Sequence, residues 1–307
     1  MRNKFAQCLT EIAAEQQDVC LLYADIGNRL FDKLKDVAPE RTINAGIAEA
    51  NMATMASGMA TMGLRPFIYT ITPFTTARNF EQIKIDLAYA DVPVVIVGTG
   101  SGLSYANLGP THHSFEDIAL MRILPNMQVV CPADSLELEA LMPQMLTVEH
   151  PTYLRIGKKN EPLNYDSVPN IKLGKAHVLQ EGQRVLLLCC GTALQIGGKL
   201  HAQLQEQGIS TELTSMHTVK PLDEDYLQKM ADYDLVVTLE EHSLIGGFGS
   251  AINDWIVDVY EQPVNLLRCG IPDKFIDQLH DPDSARKRIG LTAEDILPKI
   301  LQRLSKK

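Results

Sequence analysis

The sequence lacks the marks of several functional classes. Its six cysteines, Cys8, Cys20, Cys131, Cys189, Cys190 and Cys269, form no C-x-x-C pair and stand near no histidine at zinc-finger spacing, which excludes a structural zinc or dithiol redox motif. They sit in apolar contexts and read as buried reduced thiols. No G-x-G-x-x-G run occurs, so the dinucleotide fingerprint is missing. No uninterrupted apolar stretch approaches the ~20 residues of a membrane span, and Met1-Arg2-Asn3-Lys4-Phe5 has no signal-peptide core. Aromatic residues make up only 6% of the chain, with one Trp. Positive charge is also scarce: 28 Lys and Arg face 38 Asp and Glu, for a net charge of −10, a poor basis for holding a phosphate backbone. The expectation is a cytoplasmic globular protein with neither nucleic acid nor membrane as partner.

With 307 residues, 45% of them hydrophobic, the chain is long enough for two cores. Helix-period and strand-period segments alternate along it, which predicts α/β architecture with mainly parallel sheets flanked by helices. Predicted helices cover Asn3 to Glu15, Glu49 to Met62, 78–89, Glu116 to Met121 and 135–147. Predicted strands cover Val19 to Tyr23, Arg65 to Tyr69, Val92 to Val97, Asn126 to Cys131 and Thr152 to Arg155. The pattern breaks into polar, proline-bearing sequence between Gly157 and Asn170, a natural boundary separating domains at 1–165 and 172–307. A second alternation follows: strands 184–190, 210–215, 234–240 and 263–268, helices 194–207, 223–230 and 246–259, and a final helix from Ala293 to Ser305.

Chemistry centres on Asn44-Ala45-Gly46-Ile47-Ala48-Glu49-Ala50-Asn51-Met52. A lone carboxylate among small apolar residues is costly to bury, so such groups are either paired or used. The helix Glu49 opens is slim, with Ala50, Ala53, Ala56, Ser57, Gly58 and Ala60 beside four methionines. Its residues alone are equally compatible with a buried core helix whose first turn simply favours an acid. Gly98-Thr99-Gly100-Ser101-Gly102 follows an apolar strand, at the strand end where open parallel sheets bind ligands. That loop continues to Gly109-Pro110-Thr111-His112-His113, whose histidines suit a polar substrate or simply a solvated loop. Phe74 could stack on a flat heterocycle or pack. Arg155, at a strand end, suits a phosphate or an ion pair. Gly246-Gly247-Phe248-Gly249-Ser250 could hold an anion at a helix start or pack tightly.

Taken together these segments resemble the thiamine diphosphate enzymes of the transketolase group over nearly the whole chain. The motifs are Gly46-Ile47-Ala48-Glu49, Gly109-Pro110-Thr111-His112, Leu124-Pro125-Asn126, Pro132-Ala133-Asp134, Met216-His217-Thr218-Val219-Lys220-Pro221-Leu222-Asp223 and Glu240-Glu241-His242. The resemblance implies a pyrimidine-binding domain followed by a transketolase carboxyl-terminal domain. It implies that Glu49 hydrogen-bonds N1′ of the cofactor's aminopyrimidine, that Phe74, or Tyr69 in its place, stacks on that ring, and that Asp25 lies near the cofactor pocket. It further implies that His112 acts in catalysis by contacting substrate oxygens, and that Arg155, Gly100 and Ser101 meet the substrate. Two departures bear on the sugar. Asn107-Leu108 replaces an acidic residue before Gly109, and a substrate-holding histidine of the family falls near Gly100.

The family's Gly-Asp-Gly motif, which holds Mg²⁺ and the diphosphate, does not occur in these residues. The metal therefore has no ligands here and is expected on a partner chain. The resemblance thus points to the carboxyl-terminal subunit of a split transketolase, an α2β2 assembly moving a two-carbon ketol unit between sugar substrates. Alternatives are the β subunit of a 2-oxo acid dehydrogenase, a deoxyxylulose phosphate synthase-like condensing enzyme, and a non-catalytic dimeric scaffold.

Overall fold

The computed structural model describes all residues except Asn28, Asn160, Gln278 and Lys307. Two sheets organise the chain. The first contains β1 (Val19–Tyr23), β2 (Thr42–Asn44), β3 (Arg65–Ile71), β4 (Val95–Thr99), β5 (Gln128–Val130) and β6 (Thr152–Ile156). The second contains β7 (His177–Gln180), β8 (Val185–Cys189), β9 (Thr211–Ser215), β11 (Leu235–Ser243) and β12 (Leu266–Ile271). One strand of the second half, β10 (Thr218–Lys220), crosses back, so the first sheet has seven strands in the order β10-β5-β6-β4-β3-β1-β2. The second runs β12-β11-β8-β9-β7. All pairings are parallel except β10 with β5 and β7 with β9.

Parallel strands covered on both faces need continuous apolar runs, and β1, β4, β6 and β8 are buried at every position. Helices Arg2–Glu15 and Ser135–Met145 cover one face of the first sheet through Phe5, Leu9, Leu138 and Met142. Helix Glu49–Thr61 supplies Met52, Ala53 and Ala56 to a second core that continues through Leu186, Phe248 and Trp255 of the second half. The domains thus share a core. Asp134 caps helix Ser135–Met145 by accepting from the Leu136 and Glu137 amides at 2.8 and 3.1 Å, while Glu137 accepts from the Ala133 amide at 2.7 Å. This reciprocal pairing satisfies free amides of the first turn.

Several expected elements differ. The strand expected from Val92 begins at Val95, after Pro93, which has no amide to donate to a ladder. The strand expected over 263–268 runs from Leu266 to Ile271. The helix expected over 78–89 begins at Phe80 and passes from Phe80–Gln82 directly into a wide-turn segment, Ile83–Tyr89, while a separate short helix, Thr72–Thr76, precedes it. β2, β7, β10 and helices Asp32–Val37 and Pro282–Ile289 were not among the predicted elements. Between β6 and β7 the chain is strapped down rather than loose: Asn164 donates its amide and Nδ2 to Asp134 Oδ2 at 2.6 and 3.0 Å, and the Tyr165 hydroxyl donates to Glu137 at 2.6 Å. Among the described residues no helix is long and apolar enough to cross a membrane. All six cysteines are buried and unbridged.

Candidate active site

At the carboxyl end of β2 the chain turns through Gly46, whose φ of +70° suits a residue without Cβ, and enters helix Glu49–Thr61. Glu49 is 4% exposed. Its Oε1 accepts from Arg78 Nη1 at 2.9 Å, and among the described residues its Oε2 receives no hydrogen bond. Arg78 is half exposed, at 47% for its side chain, and reaches inward from the surface. Its guanidinium carbon also lies 4.2 Å from the centre of the Phe74 ring. The later start of the helix at Phe80 permits this placement: Asn79, just before it, is non-helical with φ −118° and ψ 27°, and its Nδ2 donates to the Glu49 carbonyl at 3.4 Å.

Phe74 meets His112 edge-on, with ring centres 5.4 Å apart, and His112 lies 5.7 Å from the Tyr105 ring. Lys158 Nζ sits 4.1 Å over the other end of this run, on Tyr105. Glu49, Arg78, Phe74, His112, Tyr105 and Lys158 therefore form one continuous run of contacts, three rings set between an ion pair and an ammonium. Burial, assisted by the Lys158 ammonium, pushes the His112 imidazole below its ordinary value, so it is neutral at neutral pH. Thr111 Oγ1 is 2.9 Å from its Nδ1. His113 turns inward, stacked 5.0 Å from Phe115.

The structure brings Glu49, Phe74 and His112 together and sets the other expected residues elsewhere. Tyr69, the alternative to Phe74, is fully buried on the opposite face of the sheet. It stacks on Phe5 at 5.6 Å and packs edge-on to Phe31 at 5.0 Å, so it offers no face to a cofactor. Ser101 is 2% exposed. The Gly100 and Ser101 amides both donate to the Ile156 carbonyl, at 2.9 and 3.1 Å. Gly100 has φ +87°, and a Cβ there would lie 2.1 Å from the Tyr105 ring. It serves close packing beneath Tyr105, and neither residue faces a substrate.

Arg155 corrects an expectation most clearly. Only 3% exposed, it donates from Nε to Asp117 Oδ2 at 2.6 Å and from Nη2 to Asp117 Oδ1 at 3.3 Å, the Ser114 carbonyl at 3.1 Å and the Glu241 carbonyl at 2.9 Å. It joins the two halves of the chain and is not free for a phosphate. Burial alone would raise the Asp117 carboxyl, but Arg155, with His242 and the Tyr153 hydroxyl, holds it below the usual carboxylate value. Asp25, exposed at the end of β1, exchanges hydrogen bonds with Asn44: Nδ2 donates to Asp25 Oδ1 at 2.9 Å, and the Asp25 amide donates to Asn44 Oδ1 at 3.1 Å. It lines a cavity of about 390 Å³ with Tyr23, Lys35 and Asn44.

The glycine-rich start of helix Phe248–Trp255 does meet an anion, and the anion is internal. Glu240 accepts from the Phe248 and Gly249 amides at 2.6 and 2.8 Å. A Cβ on Gly247 would lie 2.2 Å from its Oε2, so glycine there permits the approach. Burial raises the Glu240 carboxyl to about 7. His242 is held to about 4 by burial, which keeps it neutral. Its Nδ1 contacts the Ser243 carbonyl at 2.8 Å, and its Nε2 accepts from the Ala119 amide at 3.3 Å.

Arg78, Tyr105 and Lys158 were absent from the sequence expectations. The four-residue interval from Phe74 to Arg78 places both on one helical face and was the available signal for Arg78. Nothing local distinguishes Tyr105 or Lys158.

The fold is thus one of two parallel-sheet α/β domains, the first with a buried glutamate at its strand ends. Residues 1–162 match the family model for the transketolase pyrimidine binding domain, and residues 174–296 match that for the transketolase C-terminal domain. The chain belongs to the transketolase family. It is 34% identical over 299 residues to the 6-deoxy-6-sulfo-D-fructose transketolase subunit SqwH of Clostridium sp. (strain MSTE9), covering 97% of this chain and 92% of that one. It is 31% identical to one subunit of the apulose-4-phosphate transketolase of Phocaeicola vulgatus, covering 90% and 88%. A solved structure described as a split gene transketolase, inactive beta4 tetramer, superposes with a TM-score of 0.89 at 31% identity, covering 99% of this chain and 97% of that one. The chain thus resembles the carboxyl-terminal half of a transketolase and is a subunit of a transferase, and its family implies thiamine diphosphate.

Proposed function

We propose that this chain forms the pyrimidine side of a thiamine diphosphate site and transfers a two-carbon ketol unit between sugar substrates together with a separate chain that holds the diphosphate and Mg²⁺, as an α2β2 assembly. The observation that carries the reading is the triangle of Glu49, Arg78 and Phe74. An aminopyrimidine needs a carboxylate at N1′ and an aromatic face, and here a flat, N–H-bearing guanidinium makes both contacts, to Glu49 at 2.9 Å and over Phe74 at 4.2 Å. The residues fit the group. When bound, thiamine diphosphate supplies a nucleophilic carbon and an electron sink.

The chain's own residues then have distinct tasks. Glu49, itself buried, would share a proton with the pyrimidine N1′ and hold it there. Phe74 fixes the ring plane. His112, neutral and next to Phe74, hydrogen-bonds substrate oxygens without adding charge. Asp25, through Asn44, holds the turn that leads to Glu49. Mg²⁺ ligands are assigned to the partner, and among the described residues no cluster of His, Cys, Asp and Glu could hold a metal.

The test is a complex isolated through a tag on this chain from its source cells. Ketol transfer should appear in the complex and be absent from the purified chain. Glu49→Gln should remove most turnover. Near-normal turnover in that variant, or full activity of the chain alone, refutes the reading.

A further inference from the structure

We infer that Arg78 is a positioning residue that occupies the aminopyrimidine's place in the free subunit and is exchanged for it on cofactor loading. The inference rests on the reading of Glu49 and Phe74 given above. Three observations carry it. The partners are unequally buried: the Glu49 side chain is 4% exposed and that of Arg78 47%, so the cation is the movable member and the carboxylate the fixed one. The guanidinium satisfies Oε1 of Glu49 and covers Phe74 together, two contacts that a planar, nitrogen-bearing heterocycle would make in its stead. Arg78 also lies one residue before Asn79, which departs from helical dihedrals, and its own amide donates to the Pro73 carbonyl at 3.2 Å, so the backbone stays put and only the side chain has to move.

The physical logic is that of a placeholder. A buried carboxylate with no donor is expensive, so a free subunit whose cofactor arrives later gains from a removable internal partner. A competitor that binds the empty site lowers apparent affinity by the fraction of subunits it occupies. Withdrawal returns the guanidinium to water, where an arginine is readily accommodated. Arg78 thereby keeps Glu49 and Phe74 in their working arrangement while the site awaits its ring.

The test uses the full-length chain and a defined probe, 4-amino-5-hydroxymethyl-2-methylpyrimidine, with binding read by calorimetry and the Arg78 Nε–Hε signal followed by NMR. In the wild type, the probe should shift that signal. Arg78→Ala should bind the probe at least fivefold tighter, and Arg78→Lys, which keeps the charge but loses the planar fork, should fall between the two. Glu49→Gln should abolish binding in either background. Equal or weaker binding by both Arg78 variants, with binding still dependent on Glu49, overturns the placeholder and leaves the functional reading intact. No binding to any variant overturns both. Arg78→Lys preserves the ion pair, so the comparison survives if Arg78→Ala does not fold.

Discussion

Replacing Arg155 by methionine separates a structural role from a substrate-binding one. The substitution keeps much of the aliphatic stem and removes four hydrogen bonds, two of them to Asp117. Both side chains of this pair are 2% exposed, and deleting one member of such a pair costs about 3–5 kcal/mol because the other charge stays buried. The Ser114 and Glu241 carbonyls also lose a donor, at about 1 kcal/mol each. The expected loss is about 5–7 kcal/mol, a third or more of the ~5–15 kcal/mol that stabilises a typical domain. Urea unfolding followed by circular dichroism measures it. The loss should depend on pH with a definite sign. In the wild type the Asp117 carboxyl is depressed, so its contribution is present above the ordinary carboxylate value and disappears as pH falls through the folded one. Without Arg155, the Tyr153 hydroxyl is left as the main opposition to burial and the carboxyl moves upward and takes up a proton more readily, so the deficit should be smaller at pH 5 than at pH 8. Arg155→Met with Asp117→Leu should recover much of the stability. A loss below about 1 kcal/mol, accompanied by weaker substrate binding, would show that the guanidinium serves the substrate.

Two further outcomes follow from the titratable groups Glu240 and His112. Because the folded Glu240 carboxyl is raised to about 7, its contribution is full below the unfolded value and is lost as pH rises through about 7. Glu240→Gln should flatten stability between about pH 4.5 and 7, removing a change on the order of 3 kcal/mol, and a series of urea midpoints across that range checks it. Lys158 helps to depress His112, so Lys158→Met should move the imidazole upward toward its ordinary value without fully restoring it, since burial is the larger cause. Titration of the His112 ring signals by NMR reads this directly, and a downward movement would refute the geometry.

Hydrophobic periodicity made the parallel framework legible, because β1 and β8 are unbroken apolar runs of five residues and β3 and β6 have apolar centres, Phe67-Ile68-Tyr69 and Tyr153-Leu154. It failed where a strand is short or at an edge: β10 is three residues, Thr218-Val219-Lys220, and nothing in them says that they pair with a strand some ninety positions earlier. At the site, Glu49 stood out because a carboxylate in an apolar run is anomalous in one dimension. Arg155 at a strand end has the same local appearance whether its guanidinium turns outward or inward, and Asp117 decides the matter from 38 residues away. Tyr69 lost to Phe74 for a related reason. Alternation assigns a strand residue to one of two faces, but which face carries the site depends on where helix Glu49–Thr61 packs.

The return of β10 to the first sheet bears on how the protein is made. The strand that borders β5 is translated about sixty residues after β6 ends, so the first domain leaves the ribosome with an open edge and cannot complete its sheet until much of the second has followed. A fragment ending in the linker would present β5 as an unpaired edge, the kind of surface that recruits foreign strands. Separate expression of the two halves should therefore yield a sticky first domain, although each half resembles an independent module.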